Sequence, residues 1–212
     1  MLLAFDTATP AVTVALYDGE RVVAERTTVD AMRHGELLAP GISALLDDTG
    51  IIRQDLTAIT VGVGPGPFTG LRVGLMTART LAAVLEIPVY GVCTLDVIAA
   101  EAVDAGTVQG PFHVATDARR KEVYWASYDA DGIRLEGPEV VKPATVATDG
   151  AVVGRGAVLY PEAFPDGRVP VDPSAAVLAR VVAEERAELY DPEPMYLRRP
   201  DAAAPHKPKR VS

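Results

Sequence analysis

The aspartate that closes the first apolar segment is a candidate phosphate- or metal-binding residue. Residues 2–9 read LLAFDTAT, so Asp6 and Thr7 stand where a first strand would end. In nucleotide-cradling folds such a turn binds phosphates through backbone N–H groups and a metal through the carboxylate. Alternatively, Asp6 and Thr7 cap a β-turn. Ala8 favours this second interpretation, because close phosphate approach usually requires glycine.

A glycine- and proline-rich segment, residues 64–72 with the sequence GPGPFTGLR, is a second candidate. Glycines permit tight turns, prolines stiffen them, and Thr69 could cap the helix predicted after them. The segment lacks the lysine of a P-loop. A helix N-terminus here could bind an anion, whereas a stiff loop that exposes Phe68 suits a rigid docking surface. The sequence leaves both interpretations open.

The other reactive side chains do not form a catalytic set. Cys93, the only cysteine, has no histidine nearby in sequence, and no G-x-S-x-G elbow is present, so we expect it to be a small core residue. The three histidines are scattered. His34 and Glu36 lie two positions apart, on different faces of a helix. The sequence therefore predicts no catalytic residue, no metal site and no cofactor.

Composition predicts an acidic globular protein. The chain has 212 residues, 49% of them hydrophobic, and a formal net charge of −9, which weakly repels a phosphate backbone. If RNA is involved, another subunit should carry it. We find neither a signal-peptide pattern nor a run of about 18 apolar residues, so a cytoplasmic location without membrane contact is expected. The one basic cluster noted in the sequence, at 206–210, lies in a tail, residues 201–212, that is expected to be disordered.

Hydrophobic periodicity predicts a layered α/β unit in residues 1–106. Three strands are expected within residues 2–28, the second half-buried and followed by a hairpin turn at Asp18-Gly19, and residues 34–46 have helical spacing. A strand at 58–63, a helix at 71–85, a strand at 89–92 and a helix from 94 to about 105 follow. Because each helix must bury its apolar face, a mixed sheet covered by helices is expected.

The second half repeats the first at a constant offset. Asp117 corresponds to Asp6 and Tyr128 to Tyr17, since 117−6 and 128−17 both equal 111. This spacing indicates an internal duplication. The second copy, residues 107–200, is reduced, with strands near 135–141 and 151–154 and one helix at 174–189 that Asp172 or Ser174 would cap.

Five motifs together resemble the TsaB family, also called YeaZ, over nearly the whole chain. They are FDTAT, His34 with Glu36-Leu37-Leu38, GPGPFTGLR, Asp117-Ala118-Arg119 with Glu122-Val123-Tyr124, and Tyr196-Leu197-Arg198. GPGPFTGLR is the specific element. One departure is Gly35, where a serine is usual. The resemblance implies an actin-like, sugar-kinase-like (ASKHA) α/β fold of two related subdomains with mixed sheets, the second of them reduced.

The resemblance also implies an accessory role rather than catalysis. TsaB supports TsaD in forming threonylcarbamoyladenosine next to the anticodon of tRNAs that read ANN codons. Expected partners are TsaD, as a heterodimer, and the ATPase TsaE, with tRNA bound only through the complex. TsaD holds its metal with a His-x-x-x-His, and the register places those positions at Thr94 and Ile98, which cannot be such ligands. Asp6 and Thr7 would then be a vestigial phosphate loop.

The expected partner interface is a four-helix contact between TsaD and the helices at 34–46 and 71–85. Small residues at 74, 78, 82 and 83 would allow close helix approach, and arginines could pair with acidic groups of the partner. The sequence does not decide which helical stripe faces outward. The predicted contact residues are His34, Leu38, Phe68, Thr69, Arg72, Leu75, Met76 and Arg79.

Two other classes of function remain as alternatives. An actin-like ATPase or a metallopeptidase-like enzyme would need a bound metal, for which the sequence supplies no evident ligands. A homodimeric scaffold would pair with itself when TsaD is absent, through an interface that the resemblance implies TsaB shares with its paralogue TsaD.

Overall fold

The first half of the molecule is a five-stranded mixed sheet. A computed structural model describes residues 1–198, and the predicted disorder of residues 201–212 lies outside this range. The strand order is β3-β2-β1-β4-β5, with β1 antiparallel to β2 and parallel to β4. The strands are β1 (Leu2–Asp6), β2 (Ala11–Tyr17), β3 (Val22–Val29), β4 (Ala58–Gly64) and β5 (Val89–Cys93), and the helices are α1 (His34–Thr49), α2 (Phe68–Leu85) and α3 (Thr94–Asp104).

The second sheet repeats the strand order of the first. Its order is β10-β9-β6-β7-β8, in which the fifth strand of the copy is followed by the fourth, first, second and third. The first sheet has the same succession when it is read from β5 to β3. The predicted duplication is therefore confirmed in topology. The second copy is reduced, since a 3₁₀ turn, Pro143–Thr145, stands in the place of α1. Its elements are β6 (Phe112–Asp117), β7 (Val123–Tyr128), β8 (Arg134–Val141), β9 (Val152–Val153), α4 (Arg155–Leu159), β10 (Gly167–Arg168) and α5 (Ala175–Ala183).

The first sheet is covered on both faces. Leu3 and Phe5 of β1 pack in the same cluster as α1 and α2, whereas Ala4 packs with α5 on the other face. All seven residues of β2 are buried, so the prediction of a half-buried strand was wrong. The small residues that suggested an exposed face, such as Ala15, instead allow α5 to pack closely. Helix α5 belongs to the predicted second segment, and the division at residue 106 stays a prediction.

Helix α5 is shorter than the predicted helix at 174–189. Ser174 is its N-cap and accepts a hydrogen bond from Val177 N at 3.1 Å, whereas Asp172 pairs with Arg155. The helix ends at Ala183. Glu185 has a left-handed backbone (φ 55°), and the chain beyond it extends so that Tyr190 bridges Gly91 of β5.

Helix α2 begins earlier than predicted. It starts at Phe68, directly after Pro67 (φ −58°), so Thr69 lies inside the helix and does not cap it. Within residues 1–198, this is the one helix whose length and composition would let it cross a membrane. Helix α2 packs on β4 and β5 and carries two arginines. Because core helices of globular domains can have the same length and composition, these two properties are weak evidence for a membrane span.

Candidate functional site

The carboxylate of Asp6 is committed to hydrogen bonds within the protein. Its Oδ1 accepts from Ala8 N at 2.6 Å and its Oδ2 from the Thr94 hydroxyl at 2.7 Å. Asp6 is fully buried, and burial raises its pKa, an effect that the two hydrogen bonds partly offset. Thr94 also accepts a bond from Gly64 N, so the three strand ends β1, β4 and β5 are joined here. No role for Thr94 within this chain was evident from the sequence.

The space above the first turn is filled by the glycine-rich segment. The Thr7 hydroxyl donates to Gly70 O at 2.8 Å. A Cβ added at Gly70 would overlap the Thr7 carbonyl oxygen, and one added at Gly66 would overlap that of Ala8. Protein backbone therefore lies against the turn where a phosphate would have to approach. This geometry favours the β-turn interpretation of Asp6 and Thr7 over the phosphate loop.

His34 anchors the start of α1 instead of presenting itself to a partner. Its ring is buried, with Nε2 2.7 Å from the Thr9 carbonyl oxygen, so the Nε2–H tautomer donates this bond. Leu38 and Leu75 are also buried, in the core beneath α1 and α2. The prediction that these three residues contact a partner is corrected, because they lie on the helix faces that pack against the chain's own sheet.

The ring of the predicted anchor Phe68 is contacted by Tyr196 and Arg72 of this chain. Its ring stacks on Tyr196 with centroids 4.9 Å apart, and the Arg72 guanidinium carbon lies 3.5 Å from the Phe68 centroid on a cation–π contact. Arg72 Nε also donates to the Tyr196 hydroxyl at 3.2 Å. Phe68 is thus half-buried, and this Arg72–Phe68–Tyr196 stack fastens the C-terminal segment to α2. The sequence marked Tyr196 only as part of a motif.

The outward face of α2 is formed by residues three or four positions apart. Thr69, Arg72, Met76 and Arg79 are exposed there, with Met76 59% accessible. Three of the four predicted small residues, Gly74, Ala78 and Ala82, are buried against the chain's own sheet. Helix α1 lies beside α2 and exposes acidic side chains, including Glu36 and Asp47. Together these positions form a two-helix surface with apolar, cationic and anionic groups.

The remaining candidate groups are structural in this geometry. Cys93 lies in the core, and burial, with the charge of Asp96 adding to it, raises the pKa of its thiol to about 12, so thiolate chemistry is suppressed at neutral pH. Ile98 is fully buried on α3. Within residues 1–198, no group of three or more His, Cys, Asp or Glu side chains is placed to hold a metal ion.

The turn of the second copy contacts the glycine-rich segment. Asp117 accepts from Arg119 N at 2.8 Å, as Asp6 does from Ala8 N in the first copy. The hydroxyl of Tyr124 donates to Gly66 O at 3.2 Å, and Arg198 pairs with Glu122. The motifs that lie far apart in sequence therefore meet at one place, around residues 64–72.

Two sheets of one strand order, each with an aspartate-closed turn after its first strand, define an α/β protein of the actin-like, sugar-kinase-like class. A family model described as "TsaD: tRNA N6-adenosine threonylcarbamoyltransferase" matches residues 21–163. The "tRNA threonylcarbamoyladenosine biosynthesis protein TsaB" of Escherichia coli K12 is 33% identical over 93% of this chain and 94% of that protein. The chain belongs to the TsaB (YeaZ) family.

Two further relatives cover nearly the full length of the chain. An uncharacterized protein of Mycobacterium tuberculosis H37Rv is 47% identical over 206 residues, which are 95% of this chain and 93% of that protein. A crystal structure from Pseudomonas aeruginosa, described as an uncharacterized protein with similarity to peptidase YeaZ, superposes with a TM-score of 0.78 at 31% identity. It covers 93% of this chain and 99% of that one.

Proposed function

We propose that this chain is a non-catalytic subunit in the biosynthesis of threonylcarbamoyladenosine, and that it binds and supports TsaD. The role in biosynthesis rests on its TsaB relatives, which carry that process in their names. The modified position would be the adenosine next to the anticodon of tRNAs that read ANN codons. TsaE would dock on the TsaB–TsaD complex, and the chain alone would pair with itself.

The observation that carries the partner role is the outward face of α1 and α2. Met76 and Val84 are 59% and 74% accessible on α2, so two large apolar side chains of one helix are open to a partner. Arg79 is exposed and has no ion-pair partner within residues 1–198, so it is available to an acidic group of TsaD. The contacts proposed for direct pairing are therefore Thr69, Arg72, Met76 and Arg79, with Phe68 holding Arg72 in place.

The accessory role is supported by the chemistry of the first turn. Asp6 is buried and bonded, the glycine-rich segment packs on Thr7, and the Cys93 thiol has a pKa of about 12. None of these groups is poised to bind a nucleotide or attack a substrate. An ATPase or peptidase activity of the purified chain would contradict this part of the proposal.

Replacing Met76 with glutamate tests the interface. We expect Met76→Glu to abolish co-elution with TsaD in size-exclusion chromatography, because a carboxylate would be desolvated in the helix contact. The matched control is Ile133→Glu, since Ile133 is 61% accessible at the β7–β8 connection and should leave the complex intact. Both variants should keep the circular dichroism spectrum and thermal midpoint of the parent chain, whereas Leu75→Glu should unfold it.

The same proteins define the activity assay. Threonylcarbamoyl transfer to tRNA should require TsaD, be absent with this chain alone and fall sharply with Met76→Glu. Transfer by this chain without TsaD, or a Met76→Glu variant that still co-elutes with it, would refute the proposal. Light scattering of the chain alone, then with added TsaD, tests the homodimer, which should give way to the heterodimer.

A further inference from the structure

The turn between β6 and β7 has an unusual backbone. Arg119, Arg120 and Lys121 are consecutive and all left-handed, with φ angles of 61°, 54° and 61°. Left-handed backbone is unfavourable for each residue with a Cβ, because the Cβ comes too close to the following carbonyl oxygen. The turn is held by its ends, where Ala118 N donates to Glu122 O at 3.0 Å and Glu122 N to Arg119 O at 2.9 Å. Three basic side chains are thus fixed at the surface against a conformational cost.

The turn lines a shallow cavity of about 680 Å³ whose rim is mainly basic. Arg120, Lys121 and Lys142 lie on it with a single carboxylate, Glu162, and the ring of Tyr160. Within residues 1–198, the ammonium groups of Lys121 and Lys142 have no ion-pair or hydrogen-bond partner. The surface between these lysines is formed by small apolar residues, namely Pro143, Ala144, Ala147 and Ala163.

We propose that this cavity binds single-stranded RNA, with phosphates on Lys121 and Lys142 and an unpaired base against Tyr160. The inference rests on the proposed function, which brings a tRNA anticodon loop to the TsaB–TsaD complex. Cations interleaved with an aromatic ring suit a strand whose bases are unstacked. A protein partner would gain less here, because the apolar part of the surface consists of one proline and three alanines and has no large aliphatic side chain.

This surface is not evident from composition. The net charge of −9 predicted that another subunit carries the RNA, because a net charge averages over the whole surface. The cations of this cavity come from two places in the sequence, Arg120-Lys121 and Lys142, and only the pairing of β7 with β8 brings them together. The chain would thus add its own RNA contacts to those of TsaD.

The variant Lys121→Gly tests the role of the lysine charge in RNA binding without lowering the stability of the fold. Glycine adopts φ 61° without a Cβ penalty, so the variant should have a raised thermal midpoint while it loses a phosphate contact. Fluorescence anisotropy with an anticodon stem-loop RNA would measure the affinity of the TsaB–TsaD complex at several salt concentrations. We expect several-fold weaker binding for Lys121→Gly and for Lys142→Gln, each making the salt dependence shallower by about 0.7 in log–log slope.

Matched variants test whether RNA affinity depends on the cations and the aromatic ring of this cavity and not on the net charge of the chain. Arg21→Gln removes an exposed cation at the distant β2–β3 hairpin and should leave RNA affinity unchanged. Tyr160→Phe should retain affinity, whereas Tyr160→Leu should reduce it. Size-exclusion chromatography of every variant with TsaD comes first, so loss of the complex counts against the proposed function and not as loss of RNA binding.

Three results would overturn the inference. They are an unaltered RNA affinity and salt slope in both lysine variants, an equal loss in Arg21→Gln, and lysine variants that lose a third protein such as TsaE while they keep RNA. The last result would identify the cavity as a protein-binding surface.

Discussion

Glu101 is a half-buried carboxylate whose charge is poorly compensated. It lies on α3 against the start of α5, and its Oε2 has no hydrogen-bond partner within residues 1–198. Burial, and after it the nearby charge of Glu25, raise its pKa to about 7, although a bond from Ser174 N and the charge of Arg180 act the other way. Asp104 adds to the repulsion. Glu25 itself accepts from Ser174 Oγ and Ala176 N, so two carboxylates share the N-terminus of α5.

Glu101→Gln should make stability less dependent on pH. Because the folded-state pKa is about 7 and the usual value is 4.5, the folded protein binds the proton more tightly, and its stability falls as pH rises through 7. The glutamine variant keeps the acceptor for Ser174 N without the charge. We expect it to match the parent at pH 5 and exceed it at pH 8 by on the order of 1 kcal/mol, after a discount for partial exposure. Urea unfolding at the two pH values measures this, and equal differences at both would contradict it.

At the level of single residues, the sequence predicted side-chain types better than their directions. Asp6 was recognised as important, but whether it binds phosphate or caps a turn depends on the backbone of Gly66 and Gly70, which comes from another element. His34 and Leu38 were assigned to a partner because helical spacing identifies a stripe and not the side of the molecule it faces. Only the position of the sheet resolves that choice.

At the level of elements, the packing of α2 on the first turn depends on glycine. Gly70→Ala should lower the free energy of unfolding by about 1–3 kcal/mol, because its Cβ would overlap the Thr7 carbonyl oxygen and backbone must move. Gly35→Ala is the matched control in α1. The nearest atom to its added Cβ, on Val73, is 3.8 Å away, so better helix propensity should raise stability by about 0.5–1 kcal/mol. Denaturant titration of both variants checks the opposite signs.

Most elements of the first half were predictable, and the errors have physical causes. Strands β1, β4 and β5 and helix α3 were placed within about two residues of their observed ends, since each combines a clear period with Gly or Pro punctuation. Strands β9 and β10 have two residues each, too few for a period to be visible. Helix α5 was overextended because apolar residues continue to Leu189, although its end is decided by the bridge between Tyr190 and Gly91.

At the level of the whole molecule, the two halves should unfold together. Helix α5 follows the second sheet in sequence but packs on β1 and β2 of the first, and Leu178 is fully buried there. Helix α3 packs against β6 of the second sheet and also against α5. The resemblance and the duplication predicted two subdomains, but no sequence pattern indicated this crossing, because it depends on contacts between distant parts of the chain.

Truncation tests this coupling. A chain ending at Asp172 retains every residue of the first sheet but loses α5, and we expect it to lose the single cooperative transition and the amide-exchange protection of β2. A chain ending at Arg198 keeps all the described contacts and should unfold like the parent. Full protection of β2 in the shorter chain would show that α5 is dispensable.

The position of α5 also affects how the protein is made. The N-terminal half leaves the ribosome with one face of its sheet covered only over β4 and β5, by α3. The helix that covers β1 and β2 on that face, α5, ends at Ala183, 77 residues after residue 106 (183−106). At a synthesis rate of roughly 5–20 residues per second, that part of the sheet stays uncovered for about 4–15 s. During this interval the nascent chain exposes Ala4, Ala15 and Tyr17 to holdase chaperones, so its yield in the cell should depend on chaperones more than the stability of the finished protein suggests.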